Sequence, residues 1–537
     1  MEGSSEPPGT VFLENGNIRS AHTYCDPIAT DRIEGLNDLN GMQADADGRI
    51  ALIPQPSNDP NEPLKWPVHQ KALIFVIANM FTLMVYATLD VSTVTWPSLT
   101  KEFGFSDNEL TTSYAVSFAG LAVGCIFFIP IAISVGRKPV YLFASFMMVL
   151  VNVGQAVFKT KTQYMVLQVL AGLAGSINDT IVQMTVYLSL IPTGYVIQSQ
   201  GWRWVWWWCA ILNGLVFVSI IFLFEETRYA HSAGNCFVGE ETPERSAVEH
   251  NKLDVPDDSK NHEARGPPLS EPPTAGMAEE VSLQRKTYFQ RVTSLGPPPD
   301  WSIRTYLRYL QRPFILFFRI PAVAFVAIQY SFVLCWVAVL ATTQPLLFSA
   351  PPYNFSSVGV GNVNISPFVG ALVGSIYGGP LNDYYVIWMA QRRAGKYDPE
   401  LRLHMLLAPL FITPLGLFLY GISIDQGMPW IVPVVGSGLA GFGVGSVMSI
   451  IFPYVEDSYR ELVAEAVVVV TCVRNGIATA AAFAVSPWLH GMGVQNMFLT
   501  AGCLCFAILL LTVPMIIWGR KARRYTAGFY TDTVASN

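Results

Sequence analysis

Apolar stretches of roughly membrane-spanning length recur along this chain, and polar segments separate them. A helix that crosses a bilayer needs about 20 predominantly apolar residues. The stretches of the first half lie at about 72–92, 110–132, 139–158, 163–199 and 204–224, and those of the second half at about 315–347, 358–381, 401–424, 429–454, 463–486 and 497–518. The intervening residues 228–312 are rich in charge and proline, which predicts a soluble linker. The pattern therefore indicates an all-α membrane protein built from a duplicated six-helix unit.

The stretch at 163–199 is too short for the two helices that a duplication requires. It has about 37 residues, whereas two spans and a turn need more than about 45. We predict helix 4 at 163–186 and only the end of a helix 5 at 187–200, which makes eleven full spans and one short segment. A splice variant or an imperfect gene model would explain the gap, and a genuinely shortened protein is the alternative.

The composition places much of the protein surface in lipid. Hydrophobic residues make up 51% of the 537 residues and charged residues only 13%, and the mean hydropathy is +0.37. A soluble domain usually has about 25% charged residues. The net charge of −6 gives no indication of a nucleic-acid partner. A membrane enzyme would need a cluster of histidines or acidic residues at one membrane face, and the seven histidines form no such cluster. We therefore expect neither an enzyme nor a cofactor or bound metal.

The distribution of lysine and arginine predicts the orientation in the membrane. Basic residues follow helix 2, the second helix of the second half, and the last span. Since cytoplasmic loops carry an excess of basic residues, we expect both termini and the linker to be cytoplasmic. The expected domains are a disordered cytoplasmic tail over 1–68, a first transmembrane half over 69–226, a cytoplasmic linker over 227–313, a second transmembrane half over 314–519, and a cytoplasmic tail over 520–537.

Two loops carry parts of one signature. Gly136, Arg137 and Lys138 follow helix 2, and Gly379 and Asp383 follow the corresponding helix of the second half. Together they resemble the G-x-L-x-D-x-x-G-R-K loop of the major facilitator superfamily, in which the acid caps a helix and pairs with the basic residues.

Each half keeps a different part of that signature. Ile133 stands where the acid of the first loop would be. In the second half, Arg392 and Arg393 are the basic residues expected to pair with the acid.

Three further stretches are similar to fungal permeases of this superfamily, of the twelve-span drug:proton antiporter type and the group related to polyamine and histidinol transporters. They are Asp59-Pro60 through Pro63-Leu64-Lys65-Trp66-Pro67, Gly201-Trp202-Arg203-Trp204, and Glu225-Glu226-Thr227-Arg228-Tyr229. The resemblance covers residues 57–530. It implies a monomer of the plasma membrane that exports a drug-like compound or secondary metabolite with protons as coupling ions. The alternatives are uptake of a cationic nitrogen compound such as a polyamine, and a truncated variant that does not transport.

Polar residues within the spans are the candidates for substrate and proton binding, because ionisable groups in a bilayer are costly and usually functional. We predict Asp179 in helix 4 as the main protonatable group and Arg474 in helix 11 as the fixed positive charge. Asp90, near the outer end of helix 1, is the next candidate. Gln168 replaces an arginine that many such antiporters have in helix 4. The remaining polar candidates are Asn178, Gln329 and Asn475. For each residue the competing interpretation is a solvated helix end, a snorkelling side chain or satisfied packing.

Two further motifs concern packing and modification. Glycines between residues 436 and 445 recur in helix 10, and an apolar span lacks the strand–turn–helix context of a nucleotide loop, so they predict close helix packing. Asn354 begins an Asn-Phe-Ser sequon in an external loop and is the predicted glycosylation site. Asn364 also begins a sequon but lies too deep in a span.

Overall fold

The computed structural model describes residues 11–14, 17–20, 66–176, 184–226, 303–393 and 396–535, and most of these residues are helical. Nine helical stretches within the described ranges are long and apolar enough to cross a membrane. The prediction of an all-α membrane protein is therefore confirmed.

The structure describes six helices in the first half. In chain order they are α1 (Val68–Phe103), α2 (Asp107–Val135), α3 (Arg137–Val157), α4 (Lys161–Gly175), α5 (Met184–Gln200) and α6 (Trp202–Leu223). Local signals set several of these ends. Gly104 ends α1 in the left-handed conformation, and Ser106 begins α2 with a capping box to Glu109.

The boundaries of α4 and α5 correct the predicted ones. α4 ends at Gly175 rather than at residue 186, and α5 begins at Met184 rather than at residue 187. With a rise of 1.5 Å per residue, the described part of α4 is about 22 Å long and that of α5 about 25 Å. Residues 177–183 lie outside the described residues.

The second half begins with a helix that precedes its first span. The α-helices are α7 (Ile303–Arg319), α8 (Pro321–Ser349), α9 (Ser357–Val363), α10 (Ile365–Ile376), α11 (Asn382–Arg392), α12 (Leu407–Asp425), α13 (Ile431–Ser458), α14 (Val463–Leu509) and α15 (Thr512–Ala535). A π-helical turn at Tyr377–Leu381 joins α10 to α11, and 3₁₀ turns at Pro399–Leu406 and Arg460–Leu462 precede α12 and α14. α14 contains two spans, because the backbone turns at Gly493.

Glycine contacts repeat between the halves. Gly172 of α4 lies so close to α2 that a Cβ atom there would overlap the Ser117 carbonyl oxygen. Gly441 of α13 approaches the Pro367 carbonyl oxygen of α10 in the same way. The predicted packing role of the glycines at 436–445, which lie in α13, is therefore confirmed.

The two halves pack against each other through pairs of helices. α2 and α14 pack against each other, and α1 packs against α8. One mixed apolar cluster joins Trp96 and Leu110 to Ala338 and Ala482, and another joins Ile129 to Val468.

A small antiparallel sheet lies in the segment expected to be a disordered tail. β1 (Val11–Glu14) pairs with β2 (Asn17–Ser20) and with β3 (Lys396–Tyr397), which follows α11. The other residues of the tail up to 65, and the linker residues 227–302, lie outside the described residues.

Candidate functional site

A cavity lies between the two halves. Residues of α1, α2, α8 and α14 line it: Tyr86, Asp90, Tyr114, Phe118, Leu334, Val337, Ala338, Arg474, Asn475 and Ala478. A wall of aromatic and apolar side chains with a few polar groups is typical of small-molecule sites. Two of these residues carry opposite charges, and each comes from a different half.

The acidic group of the cavity is Asp90 of α1. Its side chain is nearly buried, with 4% exposure. The Tyr114 hydroxyl of α2 donates a hydrogen bond to its carboxyl Oδ1 at 2.5 Å. The neighbouring Thr93 hydroxyl bonds instead to the Asp90 backbone carbonyl. The carboxyl group therefore has one positioned donor and a second oxygen for a proton or a ligand.

The basic group is Arg474 of α14, which is 6% exposed. Its guanidinium carbon lies 6.0 Å from the ring centres of both Tyr86 and Tyr330. Tyr86 belongs to the first half and Tyr330 to the second. Aromatic faces attract a cation at this distance, and the attraction is stronger where water is excluded. The guanidinium thus contacts both halves at once.

Asn475 connects α14 to the centre of the first half. Its Oδ1 accepts a hydrogen bond from the Arg474 Nε at 3.0 Å, and its Nδ2 lies 2.9 Å from the Cys125 Sγ of α2. The Cys125 thiol in turn donates to the Ser176 carbonyl, directly after α4, at 3.3 Å. A polar chain therefore runs from the guanidinium to the end of the shortened helix 4.

Two other predicted residues, Gln168 and Gln329, do not line this cavity. Gln168 donates to the Tyr164 hydroxyl of its own helix, and Gln329 donates to the Ile508 carbonyl. Both side chains are buried inside their own halves. Asn178 and Asp179 lie outside the described residues, so Asp179 stays a prediction.

Sequence reasoning missed two tyrosines of the site. Tyr86 and Tyr114 lie in apolar spans, where a tyrosine usually serves packing. The available signal is that each carries a hydroxyl in a segment that otherwise offers few hydrogen-bond partners.

The signature loop of the first half is held by the end of α6. The Glu226 carboxylate accepts hydrogen bonds from the backbone N–H groups of Arg137 and Lys138, at 3.1 and 2.9 Å. The Lys138 ammonium donates to the Phe224 carbonyl. An acid from another segment thus binds this loop, whose own acid position holds isoleucine.

The corresponding network of the second half centres on Arg402. This guanidinium pairs with Asp383, which follows Gly379 in the signature, and with Asp457 near the end of α13. The expected pairing with Arg392 and Arg393 is therefore wrong. Arg402 lies in the 3₁₀ turn beyond them, and only the fold brings it to the acid.

Two neighbours complete this network. Arg392 stacks on the Trp388 ring, with its guanidinium carbon 3.8 Å from the ring centre. The Tyr397 hydroxyl donates to Asp457. Burial and the adjacent carboxylate raise the pKa of Tyr397, so its hydroxyl keeps the proton that this hydrogen bond needs.

The two sequons differ in accessibility. Asn354 is exposed in the turn between α8 and α9. Asn364 is buried, and its amide donates to the Val360 carbonyl. Glycosylation at Asn354 stays a prediction.

Comparisons with known proteins agree with this architecture. The family model described as Major Facilitator Superfamily matches residues 183–482, and the model for sugar and other transporters matches residues 72–189. An uncharacterised MFS-type transporter of Schizosaccharomyces pombe is 27% identical and covers 90% of both chains. Protein HOL1 of Saccharomyces cerevisiae is 27% identical over 90% of this chain and 92% of its own. A multidrug transporter of Candida glabrata is 22% identical over 87% of this chain and 78% of its own.

A solved structure shares the fold. The proton:xylose symporter XylE superimposes with a TM-score of 0.50 at 11% identity, covering 83% of this chain and 96% of the symporter. The family match extends over more than half of the chain, and the helices form two halves around a central cavity. This chain therefore belongs to the major facilitator superfamily of membrane transporters, which are not enzymes.

Proposed function

We propose that this chain is a proton-coupled secondary transporter that exports a small drug-like molecule or secondary metabolite across the plasma membrane. The observation that carries the proposal is that two residues of opposite charge line one cavity. Asp90 comes from the first half and Arg474 from the second. A substrate bound between them contacts both halves, so its binding is linked to their relative position.

The proton and the substrate compete at Asp90. When its carboxyl group is protonated, Arg474 is the net charge of the cavity wall. When it is ionised, the wall is neutral overall and offers a carboxylate beside the Tyr114 hydroxyl. A substrate that favours the ionised form displaces the proton, and a proton gradient can then drive exchange. Asp179 remains a second candidate for the same role.

The proposed orientation has the linker side of the protein in the cytoplasm. Arg137, Lys138 and Arg392 lie at helix ends on the side from which the linker departs, and the exposed Asn354 lies at the opposite end of the spans. An excess of basic residues favours the cytoplasmic side. Attachment of a glycan at Asn354 would support this orientation.

The direction of transport and the substrate class are proposed from a relative and from the chemistry of the cavity wall. The Candida glabrata relative is named a multidrug transporter, which favours export. Uptake of a cationic nitrogen compound is the alternative, because the Asp90 carboxylate and the rings of Tyr86 and Tyr114 suit a cation. Arg474 opposes a second positive charge in the same space.

One observation favours a different function, that of a transporter-fold protein that does not transport. The stretch at 163–199 has about 37 residues, fewer than two full spans and a turn need. A protein whose first half lacks part of a span would bind substrate without sealing it on one side.

A flux assay separates these functions. The purified chain in proteoliposomes is tested with rhodamine 6G and with labelled spermidine, with and without a pH gradient. Proton-coupled export requires that the gradient accelerates rhodamine flux and that Asp90→Asn abolishes the acceleration. Asp425→Asn, an exposed acid at the end of α12, is the matched control.

The other outcomes are equally informative. Gradient-driven flux that Asp90→Asn leaves unchanged rules out Asp90 and makes Asp179→Asn the next test. Spermidine transport without rhodamine transport supports the uptake alternative. Absence of flux for both probes, from a protein that still binds them, supports the non-transporting function.

A further inference from the structure

We propose that α7 is an interfacial helix that binds anionic phospholipid headgroups in the leaflet on the linker side. Arg308 and Arg319 would bind the headgroup, while Leu307, Phe314 and Phe318 contact the acyl chains. The proposal rests on the membrane orientation proposed above, but not on transport or proton coupling.

One side of α7 is anchored to the protein. Leu316 is buried in the core of the second half. The Tyr306 hydroxyl lies 3.4 Å from the Phe127 carbonyl of α2, and the Arg312 guanidinium lies 3.7 Å from the Glu465 carboxylate of α14. This side therefore holds α7 against both halves of the transporter.

A second side is apolar and exposed. Phe318 is 82% exposed, and Leu307 and Phe314 are each about half exposed. These three residues follow one another at helical spacing, so they share one stripe of the helix. Only one residue, Ile320, separates α7 from the membrane span α8, so the stripe lies at the edge of the bilayer. Acyl chains are the apolar material at that edge.

A third side is basic. α7 contains four arginines and no acidic residue. Arg308 and Arg319 are exposed, and by helical spacing they fall beside the apolar stripe. Arg319 also lies over the Phe529 ring of α15, with 5.8 Å between its guanidinium carbon and the ring centre. An apolar stripe flanked by arginines is the pattern of a helix that lies in the headgroup region of a charged membrane.

The same surface continues on α15. Trp518 and Tyr525 are exposed, and so are the basic residues Lys521 and Arg524 between and beside them. Tryptophan and tyrosine are enriched at the level of lipid headgroups. Both helices therefore present aromatic and basic groups at the level where each leaves its span.

Lipid binding at α7 would act on the transport cycle. α7 is continuous in sequence with α8 of the second half, but Tyr306 contacts α2 of the first half. When the halves separate on the linker side, that contact has to break. A headgroup that immobilises α7 in the interface therefore changes the relative stability of the open and closed states.

The test measures lipid binding by the full chain without substrate or pH gradient. Native mass spectrometry of the detergent-purified protein gives apparent dissociation constants for dioleoylphosphatidylserine and dioleoylphosphatidylcholine. Each basic residue near an anionic surface contributes about fivefold in affinity. The double variant Arg308→Gln/Arg319→Gln should therefore bind phosphatidylserine about 25-fold more weakly and phosphatidylcholine unchanged. The control Lys101→Gln/Lys159→Gln removes as many exposed charges at the opposite face and should change neither constant.

Two further measurements keep the proposal falsifiable. Phe318→Ser should weaken the binding of both lipids, and soluble glycerophosphoserine should not compete with the lipid. Raising the salt concentration should weaken phosphatidylserine binding by the wild-type chain, because salt screens the headgroup charge. Equal affinity for the two lipids, or an equal loss in the control variant, would overturn the proposal. Competition by glycerophosphoserine at lipid-like concentration would exclude the role of the apolar stripe.

These outcomes are independent of the transport assay. A chain that binds phosphatidylserine as expected and moves no probe contradicts the proposed transport function alone. A chain that transports but does not distinguish the lipids contradicts the lipid site alone.

Discussion

The fourth and fifth helices of the two halves differ, although the halves share one architecture. In the second half, α13 has 28 residues and continues through a short turn into α14, and its end carries Asp457 to the network around Arg402. In the first half, α4 has 15 residues and ends where Ser176 contacts Cys125 in the middle of α2. No residue of α4 therefore extends to the signature loop of its own half.

The difference shows how a loop is held when its usual partner is out of range. The first-half loop is bound by Glu226, which follows α6, through backbone N–H groups. The second-half loop is bound through side-chain ion pairs with Arg402. Charge-assisted ion pairs depend on both partners, whereas backbone donors are present whatever the loop sequence. We call the contacts of Glu226 with the first-half loop the first-half latch, and the ion pairs of Arg402 with Asp383 and Asp457 the second-half latch. The two latches should respond differently to substitution.

The largest effect is expected at the buried ion pair that fixes α15 to the second half. Arg523 is fully buried and donates two hydrogen bonds to Glu400, at 2.8 and 2.6 Å. Glu400→Gln leaves this guanidinium with the Asp398 carboxylate, 3.8 Å away, as an ionised partner, so the loss should approach but not exceed that of a fully broken buried pair, about 3–5 kcal/mol. We expect a large fall in the thermal unfolding midpoint of the purified protein. Asp425→Asn is the control, and a midpoint equal to that of the control would contradict the prediction.

A smaller loss is expected at the second-half latch. Arg402→Gln removes the partner of both Asp383 and Asp457. Hydrogen bonds to charged groups contribute about 1.5–3 kcal/mol, so we expect a clear fall in the same unfolding midpoint. Arg392→Gln provides the control, since that residue stacks on Trp388. If both variants unfold at the wild-type temperature, the network does not stabilise the fold.

The third prediction tests whether the close glycine contacts of the two halves contribute equally to stability. Gly172→Val and Gly441→Val each place a side chain against the backbone of a neighbouring helix. Overpacking costs about 1–3 kcal/mol, and the two variants should lower the unfolding midpoint to a similar extent. Gly476→Ala, where a Cβ atom meets nothing within 4 Å, should leave it unchanged. A loss confined to Gly441→Val would show that α4 and α2 are less firmly packed than their counterparts.

The smallest effect is expected at the first-half latch. Glu226→Gln removes the negative charge but keeps an oxygen acceptor for the N–H groups of Arg137 and Lys138. Since this side chain is only partly buried, the loss should be about 1 kcal/mol or less. The unfolding midpoint should fall by less than that of Arg402→Gln. An equal fall would mean that the two loops are held with the same strength, contrary to the comparison.

How far the candidate site could be predicted depended on whether a residue is unusual in its own segment. Asp90 and Arg474 are conspicuous because a charge in an apolar span is costly, and the fold brings both to one cavity. Gln168 and Gln329 are conspicuous because a polar amide in an apolar span also needs a hydrogen-bond partner. Their amide groups nevertheless donate hydrogen bonds within their own halves. A polar residue in a span must find a hydrogen-bonding or ionic partner, but the local sequence does not identify that partner.

The sequence by itself determined the membrane class, the two halves and the packing role of the glycines at 436–445, which lie in α13. These follow from local hydrophobicity and residue size, which act over one or two helical turns. Only the tertiary structure decided where α4 ends, because an uninterrupted apolar run marks no boundary between two helices. It also decided the partners: Tyr114 for Asp90, Arg402 for Asp383, and Cys125 for Asn475, which is 350 residues away in the chain. Such pairs form because helix packing brings distant segments together, and no local pattern encodes that distance.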